Sequence, residues 1–317
     1  MQKCIHCLIT GAMLFANISG ARPAPPSGPE GSVSFSGAWA LYPLVVKWAE
    51  EYRKLYPETR IDIGAGGAGK GMADCLAGIV DIGMVSRDIY PAEKQQGAWW
   101  VSVARDAVVP TVSASNPFLP SLLEKGITRE SFIRIWITGE ITLWSELAEG
   151  SPRAAIHVYT RSDACGAAEM WAKYLGGNQE DLLDIGVYGD PGLAEAVRKD
   201  ALGIGYNNIN YAYDARTRMP VKGIWIPPID LNGNGRVDPD EDFYGTRDQI
   251  VQAIGAGRYP SPPARDLYFV SRGKPPREPV IRFIRWVLTR GQEYVPEAGY
   301  IPLPADKLKE GLRLLEE

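Results

Sequence analysis

Three short stretches of the 317-residue chain carry residue types suited to holding an anion: Ser36-Gly37-Ala38-Trp39-Ala40, Gly66-Gly67-Ala68-Gly69-Lys70-Gly71 and Arg161-Ser162-Asp163-Ala164-Cys165-Gly166-Ala167. Each follows a β-like run and opens a helical one, and its small residues let backbone approach a ligand closely. The first turn of a helix offers amides without intrahelical acceptors and about half a positive charge, which suits an anion. One such turn alone is equally well explained by tight strand-to-helix packing. Three in one chain point to a shared site outside the carboxyl ends of parallel strands.

Arg161 is the first candidate ligand, because a planar guanidinium fork matches two oxygens of a tetrahedral anion; the alternative is an ion pair with Asp163. Ser86 and Arg87, in the VSRDI that follows a third β-like run, add a hydroxyl and a second cation, unless Arg87 is spent on Asp88 or another carboxylate. Lys70 supplies a point charge at its helix start or simply a solvated cap. Asp106 either orients an arginine or lies on the surface. The candidate ligand-binding set is thus Ser36, Ala38, Trp39, Ala40, Gly67, Ala68, Gly69, Ser86, Arg87, Arg161, Asp163, Cys165, Gly166 and Ala167.

A second chemistry is written in DLNGNGRVDPDE, residues 230–241. Asp230, Asn232, Asn234, Asp238 and Glu241 put oxygens at positions 1, 3, 5, 9 and 12 of a twelve-residue calcium loop, with Gly235 at 6, the Arg236 carbonyl at 7 and Val237 at 8. Pro227 and Pro228 forbid a regular incoming helix, so the expectation is a lone structural Ca²⁺ staple rather than a paired sensor hand. The alternative is an acidic Asn-Gly turn without metal. No organic cofactor is called for.

Catalysis finds little support. Cys165 and His157 imitate a nucleophile and base, but His157 shares a strand face with Tyr159 and Arg161, as a supporting histidine would. The GAGGAGKG stretch lacks the frame and the hydroxyl residue of a nucleotide-binding loop. No catalytic residue is assigned.

The elements that must position these groups alternate β-like runs with amphipathic stretches, as in an α/β fold with parallel strands. VSFS, RIDIGA and a run around 81–85 read as strands. Between the first two, Leu41, Leu44, Val45, Trp48, Tyr52 and Leu55 fall on one helical face. Trp99–Val112, rich in β-branched residues and containing Pro110, reads as strand at an edge or at a crossing between domains. A capped helix over Thr128–Ile137 leads through ITLWSEL into a second short helix. Ile156–Tyr159, a helix from about Ala164, GLAEAVRKD and LGIGYNN repeat the earlier pattern, so two lobes of the same construction are expected. DLYFVS at 266–271 is a lone strand able to return the chain to the first lobe, on which two C-terminal amphipathic helices would pack.

Bulk properties agree with a two-domain globular protein: 45% hydrophobic and 23% charged residues allow a sizeable core. A net charge of -4 gives no polycationic field for nucleic acid. Residues 1–21 read as a signal peptide, with Lys3 before an apolar run and small residues at its end; an uncleaved membrane tether is the alternative. Cys4 and Cys7 stand at the wrong end of that run for a lipoprotein. Residues 22–30, RPAPPSGPE, read as a Pro-rich spacer. With residues 1–30 removed, and His6, Cys4 and Cys7 with them, Cys75 and Cys165 are expected as free thiols, and His157 as the one histidine left speaks against a zinc hydrolase.

These features together resemble the substrate-binding proteins of phosphate ABC transporters, within type II of the periplasmic-binding-protein superfamily. The likeness is carried by SGAWALYPLVVKWAEEY, GAGGAGKGMADCLAGIVDIGMVSRDI, WITGEITLWSEL, YTRSDACGAA, LGIGYNNINYA and RYPSPPARDLYFV. It implies an α/β fold of two lobes, each a mostly parallel sheet flanked by helices, joined by two hinge strands: residues 31–107 with 269–317, and 108–268. It also implies an exported, periplasmic or extracytoplasmic monomer that closes on phosphate and passes it to membrane permease subunits. Against the family pattern RSDGSGT, Arg161, Ser162 and Asp163 are kept, but Cys165 and Ala167 replace hydroxyl donors. Ala38, Trp39, Ala40 and Ala68 stand where the family places Ser or Thr. Another oxyanion, a larger ligand stacked on Trp39, or an exported sensor or scaffold without phosphate affinity are the alternatives.

Overall fold

The computed structural model describes residues 31–148 and 153–317, so the expected signal segment and spacer lie outside the described residues. Alternation along β1 (Gly31–Gly37) buries Val33 and Phe35, and α1 (Tyr42–Leu55), with Pro43 in its first turn, adds Leu44, Val45, Trp48 and Tyr52 to the same core. Leu55, expected on the same face, is instead 48% exposed at the helix end. Then come β2 (Thr59–Ala65), α2 (Ala68–Leu76), β3 (Ile82–Val85) and α3 (Pro91–Gln95). β1 runs parallel to both β2 and β3.

The next strand, β4 (Ala98–Ser113), is sixteen residues long and leaves this lobe for the other. It is followed by α4 (Leu119–Lys125), β5 (Ile127–Thr128), α5 (Arg129–Trp136), β6 (His157–Arg161), α6 (Gly166–Leu175), β7 (Ile185–Val187), α7 (Gly189–Lys199), β8 (Gly203–Asn208) and α8 (Ile209–Ala212). β9 (Ile224–Trp225), β10 (Ile229–Asp230) and α9 (Arg247–Gly255) precede the return strand β11 (Ala264–Arg272). The chain closes with α10 (Glu278–Leu288), α11 (Tyr294–Glu297) and α12 (Ala305–Glu316). Among the described residues no helix is long and apolar enough to cross a membrane.

One continuous path, β2-β1-β3-β11-β4-β8-β6-β7, links both lobes, with β9 on β4. β11 is antiparallel to both β3 and β4, and β4 is antiparallel to β8, while β6 is parallel to β7 and β8. Along this path the buried residues divide into two cores. Ala104 and Leu267 belong to the first, Ala107 and Ala264 to the second. β4 and β11 are therefore the two strands that cross between lobes. Pro110 is tolerated inside β4 because β11 has already left by then: their last pair is Ala107 with Ala264, and Pro110 pairs with Tyr206 of β8. Of the two readings of this stretch, an edge or a crossing between domains, β4 is the crossing.

Local signals translate directly at α5, where the Thr128 hydroxyl accepts from Ser131 N as an N-cap should. ITLWSEL forms only a single 3-10 turn, Trp144–Glu146, rather than a second helix. Its job is to bury Trp144, which stacks on Phe118 with ring centroids 5.8 Å apart. In the second core Trp171 is fully buried against Phe132, Trp136 and Tyr206, at centroid distances of 5.1, 5.5 and 5.6 Å. Replacing it leaves a void that no neighbour can fill. Trp171→Ala is expected to lower stability by about 3–5 kcal/mol in urea unfolding followed by circular dichroism; a loss below about 1 kcal/mol would contradict this packing.

Candidate functional site

The three Gly-rich turns do converge, from opposite lobes, on the seam between the two cores. Ser36–Ala40 follows β1, Gly66–Gly69 opens α2, and Ser86 and Arg87 follow β3 on one side. Arg161–Ala167 links β6 to α6 on the other. The lobes touch here: Gly69 N donates to Ala164 O at 3.1 Å, Tyr211 Oη to Trp39 O at 3.2 Å, and Lys173 Nζ reaches Asp88 at 3.0 Å. A Cβ on Gly166 would lie 2.2 Å from Ser86 O, and one on Gly189 3.3 Å from the Trp39 ring. Glycine is required at Gly166 for the seam to shut, whereas at Gly189 it is the φ of +74° that favours glycine beside a tight contact with the ring.

Arg161 sits at the centre with its side chain wholly buried. Nε donates to Asp163 Oδ1 at 2.8 Å, Nη2 to Asp163 Oδ2 at 2.6 Å, and Nη1 to Asp190 Oδ2 at 2.5 Å. Burial opposes its charge, but Asp190 and Asp163 more than offset this and hold its pKa above the ordinary arginine value. These bonds use three of the five N–H groups that a guanidinium carries. The pair with Asp163 is real, yet it is an element of the seam and not a surface contact. Asp163 Oδ1 also accepts from Gly189 N at 3.0 Å, and a Cβ on Gly67 would meet Asp163 Oδ2 at 2.9 Å. Its carboxylate therefore already occupies one anion-accepting position between the lobes.

The other candidate cations are bound to acids within their own lobe. Arg87 grips Glu93 through Nη1 at 3.0 Å and Nη2 at 2.7 Å, and its guanidinium lies 3.9 Å from the centre of the Tyr90 ring. Lys70 pairs with Asp74, which also accepts from Ser36 Oγ at 2.5 Å, so the Ser36 hydroxyl is committed inside the first lobe. Several backbone donors are likewise taken: Ala38 N by Met84 O and Gly67 N by Gly37 O. Trp39 packs across the seam on Gly189 and edge-on to Tyr188, so its ring is not free to stack on a larger ligand. What remains to meet an anion includes the first turn of α2 at Ala68 and of α6 at Gly166 and Ala167, the buried Trp39 Nε1, which has no hydrogen-bond partner, and the unused N–H groups of Arg161.

Cys165 is the N-cap of α6, its sulfur accepting from Ala168 N at 3.4 Å. Burial pushes its thiol up to about 12, which denies it a thiolate at neutral pH. His157, at the other end of β6, is bonded to Asp200 at 2.7 Å, so the two form no dyad. Both Cys75 and Cys165 are free and buried.

Sequence reading missed the acids that govern the site, Asp190 and Glu93, and the glycine Gly189. The signal for Gly189 and Asp190 was present in YGDPG, a Gly and an acid opening the helix that follows β7, and that for Glu93 in the YPAE that opens α3.

In the calcium-type loop, Asp230 accepts from Gly233 N and Gly235 N at 2.7 and 2.9 Å. Glu241 accepts from Leu231 N and Asn232 N at 2.8 and 3.1 Å. Asn232 and Asn234 both direct Nδ2 to Asp238 Oδ2. Positions 1 and 12 are thus drawn together and positions 3, 5 and 9 gather on one point. Among the described residues no three His, Cys, Asp or Glu side chains converge as a ready metal cluster.

A family model for the PBP superfamily domain matches residues 23–290, most of the chain. The chain belongs to that superfamily. It is 26% identical to the phosphate-binding protein PstS of Methanocaldococcus jannaschii, over 96% of this chain and 92% of that one, and 27% identical to PstS of Pseudomonas aeruginosa, over 91% and 88%. In structure it resembles a Clostridium perfringens protein described as a phosphate ABC transporter substrate-binding protein and solved with bound phosphate. The TM-score is 0.70 and the identity 24%, with 86% of this chain and 100% of that one covered. The shared fold is the two-lobed one.

Because the seam closes on glycine, Gly166→Ala is expected to hold the lobes apart while each keeps its own core. Small-angle scattering should then give a larger radius of gyration than the wild type at unchanged circular dichroism. Identical scattering curves would refute the contact between Gly166 and Ser86.

Proposed function

We propose that this protein is an extracytoplasmic solute-binding protein that captures phosphate between its lobes for an ABC importer. One observation carries the reading: the first turns of α2 and α6, from opposite lobes, meet beside a buried arginine that still has N–H groups to give. Aligned helix amides and a guanidinium neutralise an oxyanion without any bulk solvent, and they do so only when the lobes are shut. The relatives named phosphate-binding proteins support the choice of ligand, since they align along most of the chain. Binding without chemistry fits a site whose thiol is held protonated and whose histidine lies elsewhere.

Another tetrahedral oxyanion is the second reading, favoured by Ala38, Ala40, Ala68, Cys165 and Ala167. None of them brings the hydroxyl that would accompany these amides, and each unmade bond to a buried oxyanion costs roughly 1–3 kcal/mol. Titration of the purified protein with phosphate, arsenate, sulfate and molybdate, followed by tryptophan fluorescence, separates the two. A saturable response to phosphate tighter than to sulfate is expected. No response to any of the four would overturn the receptor reading in favour of a scaffold or sensor.

This reading takes the protein as exported by residues 1–21, acting as a monomer with permease subunits in the membrane as its partners. It takes residues 31–107 with 269–317 as one lobe and 108–268 as the other, with the crossing strands shared between the two cores: Ala104 and Leu267 lie in the first, Ala107 and Ala264 in the second.

The loop at 230–241 is proposed to bind a structural Ca²⁺ through Asp230, Asn232, Asn234, the Arg236 carbonyl, Asp238 and Glu241. The donor set fits: it is all oxygen, as a hard cation requires, and the amide side chains that now converge on Asp238 would turn their oxygens to a cation there. Bound calcium would brace the loop against α4 and β5, because Val237 N bonds Glu124 O at 2.8 Å and β10 pairs with β5. Free Ca²⁺ a hundredfold above its Kd should stabilise the protein by about 2.7 kcal/mol, seen as a raised Tm against EDTA-treated protein. Asp230→Asn should abolish the shift, and an equal shift in that variant would exclude this loop.

A further inference from the structure

Where β4 and β11 cross between the lobes, Asp106 and Arg265 face each other as a cross-strand pair. Both are buried, at 1% and 6% exposure, yet they are poorly joined: the shortest N to O distance is 3.7 Å. Neither oxygen of Asp106 nor Nε of Arg265 has a hydrogen-bond partner. Arg265 instead turns Nη2 to Asn208 Oδ1, and Asn208 N donates to Asp190 Oδ1 at 3.1 Å. The other oxygen of Asp190 accepts from Arg161. An unbroken line of contacts therefore runs from the hinge to the arginine at the seam.

We propose that Asp106 and Arg265 are positioning residues for oxyanion capture: through Asn208 and Asp190 they set how firmly Arg161 is held, and the protonation of Asp106 tunes that hold. The inference rests on the reading of the seam as an oxyanion trap. When Asp106 is ionised it competes with Asn208 for Arg265 and loosens the line; when it is neutral, Arg265 belongs to Asn208 and Asp190 stays fixed. A neutral Asp106 gives the tighter site.

The surroundings favour the neutral form. Asp106 faces Arg265 from β11, Asp190 from α7, Tyr211 from α8 and Tyr300 from the segment before α12, with the backbone amides of Ala107 and Ile209 nearby. Burial raises its pKa, Arg265 works against the rise and Asp190 adds to it, leaving it at about 7. A carboxyl raised in this way contributes stability that is present in acid and lost as pH climbs through about 7. Lowering the pH from 8 to 6 should therefore firm the grip on Arg161.

Two measurements test this. In protein labelled with ¹⁵N at arginine, the Arg161 Nε–H resonance of the ligand-free wild type should titrate near pH 7 and stay flat in Asp106→Asn. This readout needs neither ligand nor transport, and it stands even if phosphate proves not to bind. A resonance that does not move in the wild type would overturn the proposal whether or not the variant folds. Calorimetric titration with inorganic phosphate adds the functional consequence. Asp106→Asn should bind at least about fivefold tighter than wild type at pH 8 and equally at pH 6, the ratio cancelling the titration of phosphate itself. A ratio that is the same at both pH values, or weaker binding at pH 8, would refute the coupling.

Discussion

A guanidinium with no access to solvent has to be satisfied, and the pairing of Arg161 with Asp163 and Asp190 is the constraint around which the seam is arranged. Removing one partner from such a buried group leaves an uncompensated charge, at a cost of about 3–5 kcal/mol. The acids come from two places in the second lobe, the turn after β6 and the first turn of α7. Satisfying the arginine thus fixes these elements relative to each other. Gly189 N adds a third tie by donating to Asp163. The receiving surface of the lobe is in this sense built before any ligand arrives.

The same arrangement limits how the site can hold charge. Arg87 and Lys70 are neutralised by Glu93 and Asp74, so no free cation waits in the first lobe among those that the sequence singled out. An oxyanion must then be held mainly by amide dipoles and by what Arg161 has left. Such donors are directional and cost little reorganisation, because the helices that carry them are already packed. They suit a small, many-oxygened ligand better than a bulky one, since every amide must reach an oxygen at the same time.

Much of this was legible in the sequence. Strand-turn-helix units, the two-lobed α/β class and the three turns follow from period and turn composition, which are local properties. The single 3-10 turn at Trp144–Glu146 and the antiparallel return of β11 between β3 and β4 were not, because they depend on what the segment packs against. The site divides in the same way. Arg161 announces itself by type and place, whereas Asp190, 29 positions further on, becomes its partner only through the parallel pairing of β6 with β7. Ser36, at the end of β1, looked like a ligand donor and proved to be committed to Asp74, an acid contributed by α2.

Closure explains why the replaced hydroxyls and the retained glycines must be considered together. A Cβ at Gly166 or Gly67 would collide across the seam, so these positions have no freedom, whereas Ala68 and Ala167 line the first turns of helices whose amides do not depend on the side chain. Losing a hydroxyl there removes one donor and leaves the backbone donors in place. Losing a glycine would remove the closed state itself. Recognition by this chain therefore rests on backbone geometry more than on side-chain chemistry, and selectivity has to come from how well a ligand's shape fits the shut seam and from how rigidly Arg161 is held within it.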